Sequence, residues 1–140
     1  MTRKTILAAL TATLLTPAAG ALADCRPIEE PAANPGLEQI KTNMSLGHFG
    51  AALDGFDVPT ETKNKLIDDL TRTFGSDGAR CTTIRRVAQG PYFMSEIVLF
   101  EESPQQLFYF VISGQTDGDT FRMTDINITS KYDDVRPLLF

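Results

Sequence analysis

Apolar positions along this chain change their period near Cys81, from every three or four residues before it to every second residue after it. Asn34-Pro35 offers a helix start, since Asn caps an N-terminus well and Pro suits the first helical position. Leu37, Ile40 and Met44 follow at helical spacing, Ser45-Leu46-Gly47-His48 interrupts, and Phe49, Ala52, Leu53 and Phe56 resume. This predicts two short helices joined by a turn at Gly47. Asp57-Val58-Pro59-Thr60 restarts the chain into a third helix with Leu66, Ile67, Leu70 and Phe74 as its apolar stripe, stopped by Gly75. Four strands are predicted next: Thr82 to Gln89, Tyr92 to Glu101, Gln106 to Ser113 and Thr120 to Thr129. Polar turns at Glu102-Ser103-Pro104 and Thr116-Asp117-Gly118-Asp119 make the last three an antiparallel meander.

The strands also carry information about what covers them. In the second, Tyr92, Met94, Val98 and Phe100 alternate with Phe93, Ile97 and Leu99, and the third repeats the pattern. A sheet wetted on one face shows apolar residues on one parity only, so both faces here need cover from helices, sheet curvature or a partner. In the fourth strand Phe121 and Met123 share one parity while Ile126 and Ile128 hold the other. That slip at Thr124-Asp125 predicts a β-bulge. The tail from Tyr132 offers Val135, Leu138, Leu139 and Phe140 for packing on the body. The fold class is therefore α+β, with three N-terminal helices on a curved antiparallel sheet of about four strands.

Two passages resemble the nuclear-transport-factor-2-like superfamily, in particular its small exported bacterial proteins of unknown function. Gly47 through Phe56 is similar to the family's step from a Gly-Asp-aromatic turn into an Ala-rich helix. Leu107 through Phe110, with Asp117 through Met123, is similar to its paired sheet strands. The resemblance spans roughly residues 35–130; relatives often carry Trp where this chain has Phe121. It implies a cone whose concave sheet and helices enclose a pocket. Its members include isomerases, dehydratases, ligand binders and assembly modules, so it leaves the activity open.

Residues 1–23 read as an export signal: Arg3 and Lys4, an apolar run from Ile6 to Leu15, then Ala21-Leu22-Ala23 as the cleavage site. The run is shorter than the roughly 20 residues a spanning helix needs, so no integral membrane segment is expected after cleavage. The product would be periplasmic or extracellular, with an irregular lead-in at 24–36 and one domain at 37–140. Its formal charge moves from −5 to −7 as Arg3 and Lys4 leave. That sign argues against nucleic acid as a partner. Cys25 and Cys81 are both mature, and an oxidising compartment favours a bridge between them. Lipidation of Cys25 is the rival reading, and Asp24 before it is a poor fit to such a signal.

Candidate chemistry is sparse. His48 is the single histidine, no Gly-x-Ser-x-Gly elbow occurs, and no metal-ligand set or cofactor motif is present. Asp117-Gly118-Asp119 lacks the further ligands of a calcium loop and reads as a turn. Asp125, at the predicted bulge, becomes a general acid or base if it points into the cone, where burial raises a carboxyl pKa. Tyr92 and Tyr109 are the candidate donors beside it. The leading expectation is a non-catalytic exported domain that binds a small apolar ligand or a protein partner, with homodimerisation through the sheet as one form. The alternative is an isomerase- or dehydratase-like enzyme using the Asp/Tyr pair.

Overall fold

The computed structural model describes Cys25, Ile28 and Pro31–Phe140. The expected export signal and the remainder of the lead-in lie outside the described residues. Helices α1 (Pro35–Ser45), α2 (Phe49–Ala52) and α3 (Thr60–Phe74) precede strands β1 (Arg80–Ala88), β2 (Phe93–Ser103), β3 (Gln106–Asp117) and β4 (Thr120–Thr129). The strands form one open antiparallel sheet in the order β1-β2-β3-β4. The α+β class and the four-stranded sheet thus stand. The expected set of three helices is corrected by a fourth, α4 (Tyr132–Leu139), which follows the sheet. The second predicted helix shrinks to the single turn of α2, since Asp54-Gly55 follow it and both disfavour helix. Leu53 and Phe56 are still buried, carried inward by the turn.

Asn34 caps α1 as expected, its side-chain oxygen accepting from the Leu37 amide at 3.2 Å. The same side chain donates to the Gly118 carbonyl at 3.0 Å, and the Gly36 amide donates to the Asp119 carbonyl at 2.9 Å. The β3–β4 turn therefore uses its carbonyls to hold the start of α1. At the other end of α1, the Ala79 amide donates to the Ser45 carbonyl at 3.1 Å. Gly78 makes this approach possible: its φ is +69°, and a Cβ there would sit 2.0 Å from the Ser45 oxygen.

Two bulges decide which side chains face which way. In β4 the register passes from Ser113 opposite Asp125 to Gly114 opposite Met123, leaving Thr124 as the extra residue the sequence predicts. In β1 it passes from Thr83 opposite Val98 to Arg85 opposite Ile97, so Ile84 is extra. In a regular strand, with Ile84 counted in the alternation, Thr83, Arg85 and Val87 would share one face. With the bulge, Thr83 and Arg86 face the helices while Arg85 and Val87 face the other side.

The inner, helix-covered face is filled by the chain itself. Phe74, at the end of α3, has its ring centroid 6.2 Å from Phe49, 6.1 Å from Phe100, 5.0 Å from Phe108 and 5.9 Å from Phe110. Phe100 and Phe110 lie 4.3 Å apart on neighbouring strands. Leu37, Met44, Leu53, Val98 and Ile112 are wholly buried around them. Each such side chain contributes about 1.5–3 kcal/mol through removal from water.

Cys25 and Cys81 form a disulfide, with a Cα–Cα distance of 4.4 Å and 56 residues of sequence separation. It anchors the lead-in to the first strand. Among the described residues, no helix is long and apolar enough to cross a membrane.

Candidate functional site

The sheet's two faces differ in what they leave open. On the inner face, beside the aromatic core, lies a buried ionic cluster. Lys41, on the inward side of α1, donates from Nζ to Glu38 Oε1 at 2.8 Å, Thr83 Oγ1 at 2.7 Å and Glu96 Oε2 at 2.7 Å. Those are all three of its protons. Arg86 donates to the other oxygen of Glu96 through Nε and to Glu38 Oε1 through an NH₂ group at 2.7 Å. Its second NH₂ group donates to the carbonyls of Ile28 at 2.9 Å and Pro31 at 2.8 Å.

The cluster holds two cations and two carboxylates, so it is formally neutral. Lys41 and Glu96 are 0% exposed and Arg86 is 4% exposed. Among the described residues no buried side-chain polar atom lacks a hydrogen-bond partner. In this neutral set every donor of Lys41 and both oxygens of the buried Glu96 are engaged, and only Glu38, 29% exposed, reaches solvent. Its geometry ties α1, β1, β2 and the lead-in together, a positioning device of the kind buried polar networks supply when every member is satisfied.

The outer face is different. α4 crosses only part of it, seated by the buried Val135 and by Tyr132, whose ring lies 6.3 Å from that of Tyr109. Thr129 Oγ1 donates to Asp134 at 2.6 Å near the start of α4, and Arg85 donates to the Leu138 carbonyl near its end. Between helix and sheet runs an open groove of about 420 Å³. Val87, Ile97 and Val111 form its floor, while Pro137, Leu138 and Phe140 form its opposite wall. Arg85, Gln89, Ser95 and Ser113 supply its polar atoms, the two hydroxyls joined by a 3.0 Å hydrogen bond. The volume lies within the range of small-molecule sites, and the lining matches their usual build of apolar walls with a few polar groups.

The residues singled out from the sequence do not converge on one site. Asp125 is exposed and pairs with Ser113, which places it on the outer face rather than in a helix-covered cone. Tyr109 shares that face but sits four residues from Ser113 along β3, about 13 Å at strand rise. Tyr92 lies just before β2 and is 75% exposed. His48, at the start of α2, is exposed.

Sequence reasoning missed the ionic cluster, although two signals for it exist. Lys41 falls on the stripe of Leu37 and Met44, and Glu96 falls on the same strand parity as Met94, Val98 and Phe100. A charge on an inward position calls for a partner on another inward position. Arg86 and Arg85 are adjacent in sequence, and only the bulge at Ile84 assigns one to the cluster and the other to the groove.

Comparison with family models, curated proteins and solved structures gives no match to this chain.

Proposed function

We propose that this chain is a non-catalytic exported binding domain, of the nuclear-transport-factor-2-like type, that takes a small apolar ligand in the groove between the outer sheet face and α4. The observation that carries this reading is the groove's floor. Half-buried Val87 and Val111, beside the buried Ile97, present aliphatic surface that α4 shelters without filling, on a face where solvated strands would carry polar side chains. Among the described residues the helix-covered face is occupied by aromatic rings and a hydrogen-bonded ionic cluster. The disulfide supports an oxidising compartment. The separation of Asp125 from Tyr109 leaves the enzymatic alternative without an assembled acid–donor pair.

The test is a titration with N-phenylnaphthylamine, a neutral dye that brightens on entering apolar sites. The native protein is expected to raise its fluorescence saturably. Leu138→Asp, a change at a 47% exposed wall position, is expected to weaken binding at least tenfold without loss of folding. Absence of saturable binding, or binding indifferent to Leu138→Asp, would sink the proposal.

A further inference from the structure

The groove described above has one charged lining residue, and its sign is opposite to that of the chain. Arg85 is the sole ionisable side chain among the ten lining residues, whereas the chain as a whole carries 18 acidic residues and a formal charge of −5. Arg72, Arg80 and Arg86 each meet a carboxylate. Arg85, like Arg122 and Arg136, has no carboxylate partner among the described residues, and it donates to the Leu138 carbonyl. A guanidinium has five donors in a planar fork suited to a planar two-oxygen acceptor. Four remain for other acceptors.

Two further donors flank it. Arg85 stands opposite Ile97 and Val87 opposite Ser95, so Arg85 and Ser95 are diagonal neighbours on the outer face. Ser95 and Ser113 share one hydrogen bond between their hydroxyls, which leaves the pair a second proton to give. Gln89 adds an amide on the same wall. The polar part of the groove is thus rich in donors, with Arg85 as its one charged side chain, while the rest is apolar.

Resting on the reading of this groove as a ligand site, we infer that its ligand is a free aliphatic monocarboxylate, with the carboxylate on Arg85 and the hydrocarbon chain over Val87, Ile97 and Val111. One cation matches one negative charge. A neutral amphiphile would leave the guanidinium partly desolvated with no countercharge, which costs affinity. Asp125 bounds the site: it is Ser113's cross-strand partner, one strand outside the lining, and it disfavours anions that reach beyond Ser113.

The experiment compares decanoate with decanol as displacers of N-phenylnaphthylamine from the full oxidised protein at low salt. Decanoate is expected to displace the dye at about tenfold lower concentration than decanol, the effect of one charge-assisted hydrogen-bonded contact. Arg85→Gln is expected to abolish that preference, so that the two compounds displace the dye at like concentrations, and Arg85→Lys to restore part of it. Equal displacement by the two compounds, or a preference that survives Arg85→Gln, would overturn the inference while leaving the apolar groove standing. A dye that never binds would remove both.

Discussion

Replacing Lys41 with Met would take one cation out of the inner ionic cluster while keeping a long, unbranched side chain on α1. Glu96 would retain Arg86 and Thr83, but the cluster's charge would change from zero to −1 in a site where Glu96 is fully buried. Breaking a buried ion pair from one side costs about 3–5 kcal/mol, because the surviving charge stays desolvated. That is about a fifth or more of the stability of an ordinary domain. Glu96→Gln errs in the opposite direction, leaving Lys41 and Arg86 with Glu38 as their one shared carboxylate, and should cost a similar amount.

The double variant Lys41→Met/Glu96→Gln removes one charge of each sign. What remains is the Arg86–Glu38 pair at 2.7 Å, again neutral. Its cost should fall short of the summed single costs by at least about 2 kcal/mol, the coupling expected for residues in one network. Urea unfolding of the oxidised protein provides the assay, with the midpoint converted through a common slope. Additive costs, or single costs under about 1 kcal/mol, would show that the cluster is solvated or replaceable, and the account of the inner face would fail.

Two other outcomes follow from the same structure. Replacing both cysteines with serine should lower stability by about 4 kcal/mol, the chain-entropy value for a loop closed over 56 residues, as read from the urea midpoint; a loss under 1 kcal/mol would contradict the strap. Asp125→Asn should leave the urea midpoint within about 0.5 kcal/mol of native, as befits an exposed strand residue, and should tighten decanoate binding slightly by removing a nearby like charge. Weaker decanoate binding in that variant would mean that Asp125 serves the site directly.

Where a single local signal was enough, the sequence could be read correctly. The Asn34 cap and the stop at Gly75 rest on residue type, and the four strands and the slip at Thr124 on the alternation of apolar positions within one segment. The Cys25–Cys81 bridge was legible because two cysteines permit one intramolecular pairing. The site was less legible, since it depends on which way a strand residue faces. Parity reverses at a bulge, and nothing in Thr83-Ile84-Arg85-Arg86 marks Ile84 as the extra residue. The tail's apolar residues were visible, yet their helical form depends on landing over Val111 and Ile97, a non-local event.

The two sheet faces are covered unequally, and the proposed ligand site rests on that inequality. α3 delivers Phe74 into four other rings and α1 delivers Lys41 onto three acceptors, so the described part of the inner face is packed by the chain itself. α4 is eight residues long and contributes Val135 as its buried residue. A helix of that length cannot cover a face that β1, β2 and β3 extend over nine or more residues each. The uncovered remainder is aliphatic at its floor and cationic at Arg85, two properties that a purely solvated surface would not need together. The proposed amphiphile with a negative head would satisfy both, on the face that α4 covers only in part.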